Sequence, residues 1–386
     1  MAATNSHAAP PASGPLIALS ANDGWGIVNF RRGLIAALQA DGYRVAVLAP
    51  DGTHSQAIRA LGADFVPLPI DARGRSPGAD LRTLSAYYRR LSALRPAAYL
   101  GFTIKPNIYG SMAAHLLGIP VINNITGLGA MFERKGALNR LVAGLYRIAL
   151  GRSAKVFFQN PDDRDLFVGN GLVRPEQAGI LPGSGVDLAH FSPRPAPGGK
   201  TTTFLLVARL LWAKGVGEYA EAARMVRARR GDVRFGLAGP LEPHGPGAVG
   251  QADLDGWKAE GLIDYRGSVS DVRPELAGAD CVVLPSYYRE GTPRTLLESA
   301  AMGIPVITAD SVGCREAVIA GETGLLCEPR SAASLAEAML TIAAMPAEDR
   351  RAMGRSGRAF MERGFSEAVV HRAYRDALSV ALSKGL

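Results

Sequence analysis

The sequence predicts an α/β protein made of two doubly wound domains, each built on a parallel β-sheet with helices on both faces. Short apolar runs of strand length alternate with helical stretches along the chain, which is typical of sheets that are buried on both faces. With 386 residues, the chain is too long for one ordinary hydrophobic core. Residues 193–199 read PRPAPGG, a composition that indicates a linker between two domains.

The first domain is predicted to span residues 15–190. It follows a disordered lead, residues 1–14, which lacks the basic and apolar regions of a signal peptide. The predicted strands are residues 16–20, 44–49, 65–68, 98–102, 121–123 and 156–159. The predicted helices are residues 27–40, 81–94, 107–117, 137–150 and 162–170. Because parallel strands need crossover connections, these helices should join them in the right-handed sense.

The second domain is predicted to span residues 191–365 and to repeat the same alternation. The predicted strands are residues 203–208, 234–238, 263–266, 279–284 and 304–308. One helix is predicted to follow Lys214 and Gly215 and to end near residue 230. The other predicted helices are residues 293–302, 331–344 and 346–362. A further helix is predicted over residues 366–383.

The most informative stretch is a polar loop that leads from the fourth of these strands into a helix. Pro293 is predicted to open that helix, since its fixed φ suits a first helical position. Glu290 lies in the loop, and Glu298 lies about a turn and a half into the helix. A helix N-terminus presents unpaired N–H groups to anions. With Thr292 and Arg294 beside it, this helix start suits a ligand that carries both phosphates and hydroxyls.

Glu290 and Glu298 form the pattern E-x7-E within REGTPRTLLESAAMGIPVI, and GCRE follows. An isolated pair at this spacing is more often a solvated helix face than a site. In this setting the stretch resembles the signature of retaining glycosyltransferases of family 4, which have the GT-B fold. The resemblance implies two Rossmann-like domains that face a cleft, with residues 366–386 forming a helix that crosses back to the first domain.

The resemblance also implies that the second domain binds a nucleotide-sugar donor, and a UDP-sugar is favoured. Arg209 and Lys214 form R-x4-K-G after a strand, and a planar guanidinium with a compact ammonium suits a diphosphate. In the family, the residue matching Glu298 binds the ribose and the residue matching Glu290 binds the transferred sugar. The predicted catalytic residues are Glu290, Arg209 and Lys214. The predicted nucleotide-sugar contacts are Glu298, Arg209, Lys214, Glu290, Gly291, Thr292, Pro293, Arg294 and Gly239. Neither a cofactor nor an obligatory metal is expected.

A second stretch, GFTIKPNIYGSMAAHLLGIPVINNITGLGAMF, resembles the bacterial branch that extends sugars on polyprenyl-diphosphate carriers. It contains T-G-x-G-x-x-F, whose glycines can expose backbone N–H groups to an anion. The loop ANDGWG after the first strand matches the family in part, because Trp25 separates its two glycines. The predicted acceptor contacts are Asn22, Gly24, Trp25, Lys105, Asn107, Thr126, Gly127, Gly129 and Phe132.

Several polar residues are not assigned to the chemistry. Many relatives have a His near residues 104–106, and its absence here leaves the acceptor base unidentified. His115 is interpreted as a structural or surface residue. The D-x-D strings that begin at Asp163 and Asp253 lie in or beside predicted helices, and Asn160 with Pro161 suits a helix N-terminus, so neither string is interpreted as a metal site. The three Cys residues have no metal-binding spacing and are expected to be reduced thiols.

The charge distribution suggests an anionic partner for the first domain. Residues 1–190 contain 19 Lys and Arg against 12 Asp and Glu, so they hold most of the formal charge of +8. The basic residues that follow the acceptor stretch are Arg134, Lys135, Arg140, Arg147, Arg152 and Lys155, and apolar residues recur between them at helical spacing. Such a helix either lies on an anionic membrane or packs on the core with a solvated basic face. No nucleic-acid-binding pattern is found.

The sequence thus predicts a retaining glycosyltransferase that adds an N-acetylhexosamine or hexose to a polyprenyl-diphosphate-linked saccharide in bacterial surface polysaccharide synthesis. It should be cytoplasmic and peripheral at the inner face of the cytoplasmic membrane, since no apolar run reaches membrane-spanning length. A nucleotide-sugar 2-epimerase of the same fold would need neither the acceptor stretch nor the basic helix. A non-catalytic sugar-nucleotide-binding protein would not need all of Arg209, Lys214, Glu290 and Glu298.

Overall fold

The computed structural model describes residues 14–71, 76–128, 136–194, 201–241 and 247–383. Within these ranges the strands form two sheets, one of seven strands in the first half of the chain and one of six in the second. Neighbouring strands are parallel in both sheets. The predicted fold class, two doubly wound parallel-sheet domains, is therefore confirmed.

The strand order of the first sheet is β3-β2-β1-β4-β5-β6-β7. Its strands are β1 Leu16–Ser20, β2 Arg44–Ala49, β3 Asp64–Pro67, β4 Ala98–Phe102, β5 Val121–Ile125, β6 Lys155–Phe158 and β7 Ala178–Ile180. Its helices are α1 Gly24–Phe30, α2 Arg32–Ala40, α3 Ser55–Ala60, α4 Pro77–Leu94, α5 Ser111–Leu116, α6 Ala137–Leu150 and α7 Pro161–Gly169. In β1, Ile17 and Leu19 belong to the core on one face and Ala18 to the core on the other, so both faces are covered.

The strand order of the second sheet is β10-β9-β8-β11-β12-β13. Its strands are β8 Thr202–Val207, β9 Val233–Ala238, β10 Asp264–Tyr265, β11 Cys281–Leu284, β12 Val306–Ala309 and β13 Gly324–Cys327. The helices of this half are α8 Val216–Arg229, α9 Gln251–Ala259, α10 Arg273–Ala277, α11 Arg294–Ala301, α12 Ala332–Ala344, α13 Ala347–Gly364 and α14 Glu367–Ser383. In each sheet the strand order reverses beside the first strand, and ligands bind at such a point in open α/β sheets.

The last helix, α14, packs against the first domain rather than the second. The Tyr374 hydroxyl accepts a hydrogen bond from Asn124 Nδ2 at the end of β5 (2.9 Å), and the Tyr374 ring packs on Phe157 of β6 with centroids 5.3 Å apart. Arg375 forms an ion pair with Asp41 after α2 (2.5 Å). The two halves of the chain are thus joined by this helix as well as by the linker.

Several helix boundaries differ from the sequence predictions, among them those at Gly24, Arg31 and Pro293. The predicted helix 27–40 is two helices, because the chain leaves helical geometry at Arg31, whose guanidinium is buried over the Phe102 ring at 4.2 Å. The first of them begins earlier, at Gly24, since the Asp23 carboxylate accepts a hydrogen bond from Gly26 N (2.6 Å). Pro293 is the residue before α11, with ψ at 123°, so the helix opens at Arg294 instead.

Candidate active site

The loop between β11 and α11 brings Glu290 to the carboxyl edge of the second sheet. A carboxylate oxygen of Glu290 accepts a hydrogen bond from Ser286 Oγ (2.9 Å) and forms an ion pair with Lys214 Nζ. Only 14% of the Lys214 side chain and 13% of the Glu290 side chain are exposed, so water screens this pair weakly. An ammonium has three N–H donors, and Lys214 can therefore hold Glu290 while donating to a diphosphate.

A tight turn fixes the position of Lys214. A single 3₁₀ turn, Trp212–Lys214, ends at Gly215, whose φ of +77° is in the left-handed region. A side chain at Gly215 would collide with the carbonyl oxygen of Pro285. Only glycine permits this approach, and it brings the turn after β8 against the start of the Glu290 loop. The Lys214 ammonium also lies 5.7 Å from the centre of the Tyr288 ring.

Arg209 follows β8 at the same edge of the sheet. Its side chain is exposed and makes no hydrogen bond or ion pair with the part of the chain that the structure describes. Gly239 follows the adjacent strand β9 with φ at +144°, and a side chain there would collide with the backbone of Ala208. Arg209 thus projects into solvent beside two strand ends in close contact, where an anion can reach its guanidinium.

Glu298 and Arg294 form an ion pair on the first turns of α11, with Nε to carboxylate oxygen at 2.9 Å. Burial raises the pKa of the Glu298 carboxyl, and the Arg294 guanidinium opposes that shift. Arg294 Nη1 is buried without a hydrogen-bond partner in the described part of the chain. An unpaired buried donor is costly, and a ligand oxygen would satisfy it. This corner of the site therefore suits a polar ligand group.

The two domains meet at glycines beside Glu290. Gly127 follows β5 with φ at +110°, and a Cβ there would lie 2.5 Å from the backbone nitrogen of Gly291. A side chain at Gly291 would collide with Gln159 and with the carbonyl group of Thr126. The predicted acceptor residues Thr126 and Gly127 are thus in contact with the loop that is predicted to hold the donor sugar.

Thr292 and Pro293, at the end of the loop, are buried. The Thr292 hydroxyl donates to the carbonyl oxygen of Gln159 (3.0 Å), and Thr292 N donates to Gln159 Oε1 (3.2 Å). Thr292 is only 7% exposed. The structure gives Thr292 a role in joining the domains, in addition to its place before α11.

The segment after β1, including helix α1, reaches the same region through aromatic contacts. Trp25 is 49% exposed and packs edge-on against Phe30 with centroids 5.0 Å apart. The Arg294 guanidinium lies 5.6 Å from the centre of the Phe30 ring. The backbone of Asn22 donates to Thr103 Oγ1 (3.0 Å), while Asn22 Oδ1 is buried without a partner among the described residues. Trp25 and Asn22 therefore remain available to an acceptor next to the donor site.

Two predicted acceptor contacts are occupied inside the first domain. Lys105 forms an ion pair with Asp80 of α4 at 2.7 Å and is 8% exposed. Asn107 is 1% exposed, and its amide bonds to the carbonyl oxygen of Asn124 (2.8 Å) and to Asn123 Nδ2 (2.9 Å). The structure therefore presents neither side chain at the surface. Gly129 and Phe132 lie outside the described residues, and Gly24 lies in the first turn of α1, against His54.

The sequence interpretation gave no role at this site to five residues that hold the Glu290 loop, two of which belong to the loop itself. They are Gln159, Asn160, Asp163, Ser286 and Arg289. Asn160 is the N-cap of α7 with Pro161 at the first helical position, as predicted, but its amide also donates to the carbonyl oxygen of Glu290 (3.1 Å). Asp163 is buried against Arg289 rather than lying on a solvated first turn. The sequence explained Asn160 and Asp163 by their place at a helix start, and their partners in the loop were therefore not predicted.

Both halves of the chain match glycosyltransferase family models. Residues 26–183 match the glycosyl transferase 4-like domain, and residues 201–345 match glycosyl transferases group 1. The matches span most of the chain: the first covers six of the seven strands of the first sheet, β2 to β7, and the second covers all of the second sheet. The chain belongs to the GT-B glycosyltransferases of the family 4 type.

The relatives of this glycosyltransferase include two bacterial transferases whose names state the acceptor. A protein of Campylobacter jejuni is 27% identical over 81% of this chain and 85% of its own, and is named N,N'-diacetylbacillosaminyl-diphospho-undecaprenol alpha-1,3-N-acetylgalactosaminyltransferase. A protein of Escherichia coli is 24% identical over 64% of this chain and 66% of its own, and is named UDP-Gal:alpha-D-GlcNAc-diphosphoundecaprenol alpha-1,3-galactosyltransferase.

A solved structure shows the same fold. Anabaena HepE, described as a complex with UDP and glucose, superposes with a TM-score of 0.75 at 17% identity, over 95% of this chain and all of its own. At that identity the likeness concerns the arrangement of the two domains. In the described part of the glycosyltransferase, no group of His, Cys, Asp or Glu side chains is placed to bind a metal.

An exposed apolar and basic face lies on α6 of the glycosyltransferase. Leu141 and Ile148 are 61% and 62% exposed on this helix, and Leu116 at the end of α5 is 72% exposed. α5 lies against α6, where His115 Nε2 is 2.9 Å from the carbonyl oxygen of Ala149. Arg140, Arg147 and Arg152, in and just after α6, are also exposed, and Arg147 Nη2 donates to the carbonyl oxygen of Asn170 (2.8 Å). None of the described helices is long and apolar enough to span a bilayer.

Proposed function

We propose that this glycosyltransferase moves a hexose or an N-acetylhexosamine from a UDP-sugar to a saccharide on a polyprenyl diphosphate, with retention of the anomeric configuration, in surface polysaccharide synthesis. The observation that carries the proposal is the convergence of Lys214, Glu290, Arg294 and Glu298 at one sheet edge, against Thr126 and Gly127 of the other domain. The acceptor class is supported by the names of the two relatives.

Each donor-side group has a defined task in this proposal. Arg209 and Lys214 neutralise the diphosphate, which gains negative charge as the bond to the sugar breaks. The Arg294 guanidinium, whose Nη1 has no partner among the described residues, adds a further hydrogen-bond donor to the diphosphate. The backbone N–H groups at the start of α11 add others. Glu298 accepts hydrogen bonds from ribose hydroxyls, and Glu290 accepts them from the transferred sugar. The acceptor hydroxyl attacks from the face of the leaving group, and a phosphate oxygen takes its proton. Neither a cofactor nor a metal is required.

The face on α6 supports a membrane partner. A polyprenyl carrier stays in the bilayer, so the enzyme must come to it. Exposed leucine and isoleucine side chains with arginines around them suit insertion at an anionic interface. We therefore place the enzyme in the cytoplasm, docked peripherally on the inner face of the cytoplasmic membrane.

The test of the reaction is a donor and acceptor panel. Purified protein is incubated with UDP- and GDP-sugars and a short-chain polyprenyl-diphosphate saccharide, and products are identified by mass and by the anomeric coupling in NMR. Transfer from one UDP-sugar with retained configuration is expected. Transfer from GDP-sugars alone, inverted product, or conversion of the free nucleotide-sugar without transfer would contradict the proposal.

A further inference from the structure

We propose that Asp163 and Asn160 of the first domain are positioning residues that hold the Glu290 loop of the second domain in its working conformation. This inference rests on the proposed role of Glu290 in binding the donor sugar. It concerns the D-x-D string at Asp163, which the reaction described above does not use.

One helix N-terminus binds two consecutive residues of the loop. Asp163 Oδ1 accepts a hydrogen bond from Arg289 Nε (2.6 Å), and Asn160 Nδ2 donates to the carbonyl oxygen of Glu290 (3.1 Å). The same Asn160 amide group donates to Asp163 Oδ2 (3.1 Å), so both of its N–H donors are used. Two residues of α7 and its cap are thereby fixed to each other and to the loop.

Helix capping alone does not explain a buried carboxylate at this position. Asn160 Oδ1 already caps α7 by accepting from Asp163 N (2.7 Å), and the nearby carboxylates of Asp162 and Asp165 are exposed. The Asp163 side chain is completely buried, and burial raises the pKa of its carboxyl against the effect of Arg289. A carboxylate is costly in such a place unless it is paired, and its partner is the residue next to Glu290.

Glu290 is consequently held from both domains. Its carboxylate is bound by Lys214 and Ser286 of the second domain, while its carbonyl oxygen is bound by Asn160 of the first. Separation of the domains would break the bonds to Asn160 and Asp163 and leave those to Lys214 and Ser286. The loop therefore takes this conformation when the domains are together, and the geometry of Glu290 depends on domain closure.

The test compares two carboxylates of one helix. Asp163→Asn keeps the shape and removes the charge that binds Arg289. Asp165→Asn is the matched control, since Asp165 is exposed and pairs with its neighbour Arg164 (2.7 Å). We expect Asp163→Asn to lower kcat at least tenfold with the donor KM and the UDP affinity within twofold of wild type. Asp165→Asn should match wild type in all three.

A double variant separates positioning from general destabilisation. Arg289→Gln removes the same ion pair from the other side, so Asp163→Asn with Arg289→Gln together should be no slower than the slower single variant. If each substitution instead damaged the structure independently, the fold-losses in kcat of the two single variants would multiply in the double variant. If Asp163→Asn is poorly folded, Arg289→Gln carries the test, because the Arg289 side chain is partly exposed.

Amide hydrogen exchange provides a readout that does not need activity. In Asp163→Asn, exchange of a peptide over residues 285–292 should be at least tenfold faster, while a peptide over β8 keeps wild-type protection. A folded Asp163→Asn or Arg289→Gln variant with kcat within twofold of wild type and an equally protected loop would overturn the inference. If wild type transfers no sugar at all, the proposed function fails, and loop exchange still decides whether Asp163 holds the loop.

Discussion

In the proposed reaction, Arg209 and Lys214 neutralise the leaving diphosphate, and their charges matter most as its bond to the sugar breaks. Replacing either by Ala should lower kcat by about 10²–10³, since a lost transition-state contact of ~3–4 kcal/mol has that effect. Arg234→Ala is a matched control, because Arg234 is exposed near the amino end of β9, at the opposite edge of the sheet. Steady-state kinetics of the three variants check this, and near wild-type turnover in both active-site variants would refute the diphosphate assignment.

The two glutamates should differ in the step that they affect. Glu298→Gln should mainly raise the dissociation constant of UDP, because ribose contacts exist before and during bond cleavage. Glu290→Gln should mainly lower turnover or change the preferred sugar. Calorimetric UDP titrations beside steady-state kinetics separate these effects. Equal losses of UDP affinity with unchanged turnover in both variants would contradict the division.

Glu298 also gives donor binding a pH dependence of defined sign. Burial raises the pKa of this carboxyl, so it takes up a proton at a higher pH than an ordinary Glu. The protonated form accepts ribose hydrogen bonds less well, and donor affinity should fall as the pH falls through that raised value. Titration of an intact UDP-sugar, whose diphosphate does not ionise between about pH 5 and 8, measures this. In Glu298→Gln, donor affinity should no longer depend on pH in this range. If its pH dependence is the same as in wild type, a group other than Glu298 causes it.

At the scale of elements, the turn after β5 must pass very close to the turn after β11. Gly127→Ala places a Cβ 2.5 Å from Gly291 N in a chain segment with positive φ, and the neighbouring atoms are backbone. We expect turnover to fall at least tenfold, because the Glu290 loop must shift. Gly256→Ala in α9 meets no atom within 4 Å and should leave turnover unchanged while adding about 0.5–1 kcal/mol of stability. Kinetics and urea unfolding of both variants test this, and full activity in Gly127→Ala would refute the tight contact.

For the whole molecule, the proposed membrane face predicts salt-sensitive binding to anionic vesicles. Each basic residue near such a surface contributes roughly 1 kcal/mol, which salt screens. Replacing Leu141 and Ile148 together by Gln should weaken vesicle binding at least tenfold, since both side chains are exposed on α6. Met225→Gln is the control, because Met225 is 37% exposed on α8, in the second domain. Co-sedimentation with neutral and anionic vesicles at low and high salt measures the effect.

If the protein does not bind anionic vesicles at low salt but still glycosylates a short water-soluble acceptor, membrane docking is excluded. The assignment as a transferase is not affected. The alternative explanation would then hold, in which Arg140, Arg147 and Arg152 solvate α6 or contact the carrier diphosphate directly. If the α6 double variant binds vesicles as well as wild type, Leu141 and Ile148 do not contribute to membrane binding. The basic residues could then still account for it.

The sequence by itself determined the two parallel sheets and the loop and helix start that carry Glu290 and Glu298. Short apolar strands, glycine turns and helix starts are local patterns, so strands such as β1, β2 and β4 fell at their predicted residues. The Glu290 loop was likewise found from a contiguous stretch. The helix boundary at Arg31 was missed, because the burial of its side chain over the ring of Phe102, far along the chain, leaves no local pattern in the sequence.

The tertiary structure alone decided which side chains are free to act. Asp163 and Arg289 are 126 positions apart, and no local pattern distinguishes a first-turn carboxylate in water from one buried against another domain. The same holds for Lys105, whose charge faces Asp80 rather than a ligand, and for Asn107, whose amide is enclosed. Sequence periodicity reports the face of an element on which a residue lies; the partner across that face depends on how the two sheets pack, which is a property of the folded chain.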